Sequence, residues 1–181
     1  MSSRSRPSYI ERWSLSLARY IHHNGGDSRV SIGTMRFALQ LWISILLIFA
    51  LTLILSLLFN VASSAIVALL AFGTLRYFSG GWHFRSLDWC VIVTTGILLI
   101  IALLPPVPHF TLLIINSISL LLIMIFAPTG HGQLFSSSGQ RLIFKLTATL
   151  LVMVNFFLLS QAITVAFLTQ SFTLLTRKGG N

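Results

Sequence analysis

The chain of 181 residues is 55% hydrophobic and 8% charged, with a formal net charge of +9 from twelve Lys and Arg against three acids. Its mean hydropathy of +0.90 lies far outside the range of a soluble domain of this length, which excludes a soluble enzyme and specifies an all-α integral membrane protein. The single cysteine precludes an intramolecular disulfide, and lone cations beside apolar runs suit anionic lipid headgroups of the bilayer, with no nucleic-acid partner expected.

Residues 1–36 read as a cytoplasmic N-terminal segment. Ile10, Trp13, Leu17 and Ile21 recur at helical spacing, Arg12 and Arg19 lie off that stripe, and Ser8 followed by Glu11 is a capping-box start. This predicts an interfacial amphipathic helix on the cytoplasmic leaflet, ended by Gly25 and Gly26. Such a helix serves either as a plain anchor or as a grip for substrate through Ile10, Trp13 and Leu17.

The membrane domain spans 37–175. Residues 37–59 carry no charge and are long enough to cross alone, since about 20 helical residues cover the hydrocarbon core. The first apolar run is too long, and too deep in the chain, for a cleaved signal peptide. Residues 61–75 are weaker, holding Ser63, Ser64, Gly73 and Thr74, and read as a tilted, short or partly re-entrant segment. Residues 89–104 and 110–127 form a hairpin around the helix-breaking PPVPH turn. The run 142–175 would make one helix of roughly 50 Å, too long for a single crossing, so it splits near Ser160 and Gln161. Six spans result, with five as the alternative.

Charge placement favours six. The segments 1–36, 76–88, 128–141 with nearby Lys145, and the short basic tail 176–181 then lie on one side and contain every Lys and Arg. Cationic loops are retained in the cytoplasm, so both termini are expected there. Five spans would leave Arg177 and Lys178 outside.

One polar island interrupts this lipid-like chain, RYFSGGWHFRSLDWC over 76–90. Groups of this kind are costly near hydrocarbon, which marks the island for function. A lone Cys at the start of an apolar helix is ordinarily a small hydrophobe. Here His83 stands as a base for Cys90, while Arg76 and Arg85 would favour a thiolate. Asp88 either orients His83 or balances Arg85. Gly80 and Gly81 are either a helix stop or a place where backbone amides approach a peptide carbonyl. On one unbroken helix, residues seven apart would sit about 10.5 Å from each other along the axis, too far for proton transfer. Cooperation between His83 and Cys90 therefore requires a bent or re-entrant segment.

Arg76, Gly80-Gly81-x-His83 and Cys90 together resemble the signature of the accessory gene regulator B family, membrane cysteine endopeptidases that process quorum-sensing propeptides. The amphipathic start, the several spans and Ala127-Pro128 after the fourth span are similar to that family's layout over nearly the whole chain. The resemblance implies Cys90 as nucleophile, His83 as its base, and Arg76 and Gly81 in support. It also implies a membrane-bound propeptide substrate, cleaved near its C-terminal part through a thioester and closed to a thiolactone or lactone, with no metal, nucleotide or other cofactor required.

The chain departs from the family in one place. Residues 129–140 hold no cation before Arg141, where family members often carry a Lys-rich loop, so electrostatic docking there is not expected. His131 reads as a solvated loop residue, and His22, His23 and His109 are placed too poorly to share a metal. Asn116, Asn155 and Gln161 lie within apolar runs and read as interhelical glue. Small residues such as VASSA would permit close helix packing and a homodimer. The rival class is a non-enzymatic membrane protein, a small transporter or assembly partner in which the motif is structural.

Overall fold

The computed structural model describes residues 8–25, 30–81, 86–129 and 138–175. Among them are seven helices: α1 (Tyr9–His23), α2 (Ile32–Leu58), α3 (Ala62–Ser79), α4 (Leu87–Leu103), α5 (His109–Phe126), α6 (Ser138–Leu158) and α7 (Gln161–Leu175). Four of these, α2, α3, α5 and α6, are long and apolar enough to cross a membrane, while α4 and α7 are shorter apolar helices. The protein is an all-α membrane protein. It divides into two compact units, Met1–Leu51 with His83–Ile97, and Thr52–Trp82 with Leu98–Asn181.

The helix boundaries follow from local chemistry. The Ser31 hydroxyl accepts the Thr34 amide at 3.2 Å and starts α2 at Ile32, inside the segment expected as linker. The aligned Ser and Thr hydroxyls are the cap that hydropathy alone overlooks. At the other end Asn60 adopts a positive φ of 56°, and the amides of Asn60 and Val61 bond back to Leu57 and Ser56. That is a Schellman stop with Asn in the left-handed position. The short segment expected at 61–75 is a full helix of 18 residues that runs on through Arg76 to Ser79. Its Ser and Thr residues did not shorten it.

The second unit is a bundle of α3, α5, α6 and α7, with α7 packed on both α3 and α5 and with α6 against both. Leu75, Ile123, Ala127, Ala148, Val152, Phe167 and Leu174 make its core. Residues 138–158 and 161–175 are separate helices, broken at Leu159 with φ 44°, so the single long helix considered for 142–175 does not form. Contacts at the two ends fix the directions. Phe144 near the start of α6 meets Tyr77 and Phe78 at the end of α3. Gln161 at the start of α7 bonds Leu104 and Pro105 at the turn before α5. Thus α3, α5 and α7 run parallel to each other and antiparallel to α6.

Amides and hydroxyls tie this bundle together as the apolar context requires. Asn155 donates to the Asn116 side chain at 3.0 Å and to Thr164 at 2.8 Å, and Asn116 donates to the Val152 carbonyl at 3.1 Å. Gln161 donates to the Pro105 carbonyl at 2.8 Å and accepts the Val107 amide at 2.8 Å, satisfying a turn in which three prolines supply no donors. All three residues expected as glue join separate helices or their turns.

In the first unit α1 has the expected capping box, Ser8 accepting the Glu11 amide and the Glu11 carboxylate accepting the Ser8 amide. The buried face, however, is Ile10, Ser14 and Ala18. Tyr9, Trp13 and Tyr20 form an exposed aromatic edge with Leu17 beside it. The expected stripe therefore divides: Ile10 turns inward, whereas Trp13 and Leu17 stay accessible. Small residues at every fourth position permit close approach on the inward side, which favours that face over the bulkier one.

Candidate active site

The end of α3 is where the polar island begins. Gly80 and Gly81 leave helical space with φ of 72° and 135°, values that side chains disfavour, and the Gly80 amide closes α3 on the Arg76 carbonyl at 2.9 Å. Residues 76–90 are accordingly not one helix. Arg76 belongs to the last turn of α3, and Cys90 to the first turn of α4. The chain leaves the helix at the two glycines, while the fold-back expected between His83 and Cys90 falls partly on residues 82–85, outside the described residues.

Several groups hold this elbow within its own unit. The Thr129 amide donates to the Ser79 carbonyl at 2.9 Å, just after the cis Ala127-Pro128 peptide. The Gln170 Nε2 on α7 donates to the Gly80 carbonyl at 2.6 Å and to the Ser79 hydroxyl at 3.1 Å. Its Oε1 accepts Arg76 Nη1 at 3.4 Å, and the Arg76 guanidinium also lies 5.7 Å from the centre of the Phe72 ring. A Cβ on Gly81 would stand 2.5 Å from Thr173 Oγ1 and 3.2 Å from Gln170 Nε2. Glycine is required there twice over, by conformation and by space. With its amide bound to Arg76 and its carbonyl to Gln170, Gly80 acts as the helix stop, and its N–H is not the one that would meet an oxyanion.

In the other unit, Cys90 is buried and donates its backbone amide to Ser86 at 3.2 Å as α4 begins. Asp88, two residues before it, accepts the Tyr9 amide at 2.8 Å and the Ile10 amide at 3.1 Å. Each carboxylate oxygen thus takes one of the orphan donors at the start of α1, where a negative charge also meets the positive end of the helix dipole. Two residues along a helix turn the side chain by about 200°, so Asp88 and Cys90 point to opposite faces of α4. This placement gives Asp88 a role in docking α1. His83, Arg85 and His131 lie outside the described residues.

Sequence reasoning passed over Gln170, Thr173 and Thr129. The signal for Gln170 was present, an amide inside an apolar run, of the same kind that singled out Asn116, Asn155 and Gln161. Nothing in the pattern distinguishes Thr129 or Thr173 from other small polar residues. Among the described residues no cluster of three or more His, Cys, Asp or Glu is placed to hold a metal ion.

The family model for accessory gene regulator B matches residues 14–174. The match takes in Arg76, Gly80, Gly81, His83, Asp88 and Cys90, and begins just after Ile10 and Trp13. No curated protein and no solved structure matches the chain. The matched residues cover nearly the whole sequence, and the chain belongs to the accessory gene regulator B family.

Proposed function

We propose that this protein is a multi-pass membrane cysteine endopeptidase that cleaves a small autoinducer-type propeptide, with both termini and the motif on the cytoplasmic side. The family match across the Arg76-to-Cys90 motif carries this reading. The break between α3 and α4 supports it, because it removes the straight helix that would keep residues 83 and 90 about 10.5 Å apart along the axis.

In the reaction, His83 takes the proton of the Cys90 thiol and the sulfur attacks a peptide carbonyl of the bound propeptide. The C–N bond breaks, the released amine takes the proton from His83, and the N-terminal part remains on Cys90 as a thioester. A thiol or hydroxyl within that retained peptide then attacks the thioester carbonyl, closing a thiolactone or lactone and returning the proton to Cys90. Attack from within the same peptide benefits from a high effective concentration, and a sheltered site slows hydrolysis. Arg76 and the Gly80-Gly81 elbow support the site, and Trp13 and Leu17 on the exposed side of α1 offer apolar surface to an amphipathic leader.

The test uses full-length protein in lipid nanodiscs and a synthetic peptide with an amphipathic leader, a central cysteine and an acidic tail. Wild type releases the tail, Cys90→Ala and His83→Ala do not, and hydroxylamine frees a Cys90-linked peptide from a trapped intermediate. Tail release by Cys90→Ala at the wild-type rate would overturn the reading in favour of a structural motif.

A further inference from the structure

The first four amides of a helix have no partner inside it, and in α1 these belong to Ser8, Tyr9, Ile10 and Glu11. The capping box satisfies only the outer two, the Glu11 carboxylate accepting the Ser8 amide and the Ser8 hydroxyl the Glu11 amide. The inner two, on Tyr9 and Ile10, both donate to Asp88 of α4. Ser8 and Ile10 are buried, so water is a poor substitute for that carboxylate. One side chain thus completes the start of α1 and, within the first unit, ties it to the turn of α4 on which Asp88 stands. That turn also carries Cys90, whose amide closes it on the Ser86 carbonyl. A helix is most easily unwound at its first turn, where amides lack partners of their own. The anchor at Asp88 holds that turn wound.

We infer that α1 braces the nucleophile: Asp88 is a positioning residue that, by accepting the Tyr9 and Ile10 amides, holds the first turn of α4 and with it the Cys90 sulfur. The inference rests on the endopeptidase reading above. It gives α1 a part in the reaction beyond anchoring to the bilayer or gripping the propeptide. Asp88 acts through the backbone of the turn and not by touching the thiol, since two residues of helix set their side chains on opposite faces. A sulfur displaced by about 1 Å costs on the order of 100-fold in rate. Loss of a brace lowers kcat at a preserved KM, whereas loss of a substrate grip raises KM.

A substitution on α1 alone separates this brace from the charge of Asp88. Tyr9→Pro deletes one of the two donating amides, leaves every charge in place and suits the first helical position, where proline is favoured. Ser8 is already extended, with φ −62° and ψ 160°, the region that a residue before proline favours. Tyr9→Ala keeps the amide and serves as the reference for the lost ring. Cys90 is the only thiol and is buried, so its rate of alkylation by iodoacetamide in nanodiscs reads opening of the turn without any propeptide. Alkylation is expected about fivefold faster in Tyr9→Pro than in Tyr9→Ala, and at least about tenfold faster in Asp88→Ala than in wild type. The double variant Tyr9→Pro/Asp88→Ala should match Asp88→Ala within about twofold, because the bond is already gone. Tail release should slow in the same order, at a KM within about twofold of wild type. Equal alkylation of Tyr9→Pro and Tyr9→Ala overturns the brace. Faster alkylation with an unchanged kcat, or a raised KM with kcat preserved, overturns the positioning role. Should Cys90→Ala cleave like wild type, the endopeptidase reading fails, while the alkylation result still judges the brace.

Discussion

The Asp88 carboxylate accepts the Tyr9 amide at 2.8 Å, so the acid two residues before Cys90 is the group that fastens the start of α1. Ser8 and Glu11 already cap that helix from within, which leaves Asp88 to determine where α1 docks rather than whether it forms. Asp88→Ala removes two charge-assisted bonds and is expected to weaken docking by about 1–2 kcal/mol. Trypsin reports this, because Arg12 and Arg19 both lie in α1. Asp88→Ala should be nicked there roughly 5- to 30-fold faster than wild type, with Asp88→Asn between the two. Wild-type resistance in Asp88→Ala, combined with loss of cleavage activity, would return Asp88 to the role of orienting His83.

Gly81 provides a separable test of the elbow. An Ala there must adopt a φ near 135° and meet Thr173 Oγ1 at 2.5 Å. Gly81→Ala is expected to lower stability by about 2 kcal/mol or more and to reduce tail release accordingly. Removing the obstructing hydroxyl in Gly81→Ala/Thr173→Ala should recover about 1 kcal/mol, leaving the conformational part of the cost. Thermal unfolding of the four members of this cycle measures the coupling. A double variant no more stable than Gly81→Ala would show that close approach to α7 is not what demands glycine.

Much of this architecture was legible because lipid-facing helices announce themselves by length and by charge asymmetry. The division at Ser160 came from length alone, and the capping box of α1 from two residues. The α2 start at Ile32 was not legible, because a Ser hydroxyl set it while hydropathy rises only later. The helix stop at Gly80 was visible, but the partners of its carbonyl were not. Gln170 lies 90 residues away, and only the parallel packing of α3 and α7 brings them together. The contact of Asp88 with α1 was illegible for a similar reason: sequence proximity pointed to His83 and Arg85, whereas the donors it meets are 78 and 79 residues distant.

The Asn116, Asn155 and Thr164 cluster predicts a stability effect without a catalytic one. Asn155→Leu deletes both bonds made by Nδ2 and leaves the Asn116 oxygen without its donor in a buried setting. Interhelical bonds of this kind are worth roughly 1 kcal/mol in a membrane bundle. The variant should unfold at lower temperature while each folded molecule keeps its rate of tail release. A fall in kcat per folded molecule would overturn a purely structural role for this cluster.

The directions of α3, α5, α6 and α7 make the membrane topology testable at single residues. Arg76, Arg141 and Lys145 lie at the end of the bundle where Gly80 meets Gln170, and the turns at 60–61, 104–108 and 159–160 at the other end hold no cation. Under the proposed orientation, with cations retained on the cytoplasmic side, the elbow would lie there and those turns outside. Since Cys90 is the only thiol, Cys90→Ala gives a background in which a new cysteine is the sole target. A membrane-impermeant maleimide added to intact cells should label Pro106→Cys and Ser160→Cys, and should reach Ser138→Cys only after permeabilisation. Labelling of Ser138→Cys in intact cells, with protection of the other two, would invert the protein and put the elbow on the outer face. Protection of Ser160→Cys alone would mean that α7 does not return across the membrane, and the parallel pairing of α3 with α7 would then have to form without a sixth crossing.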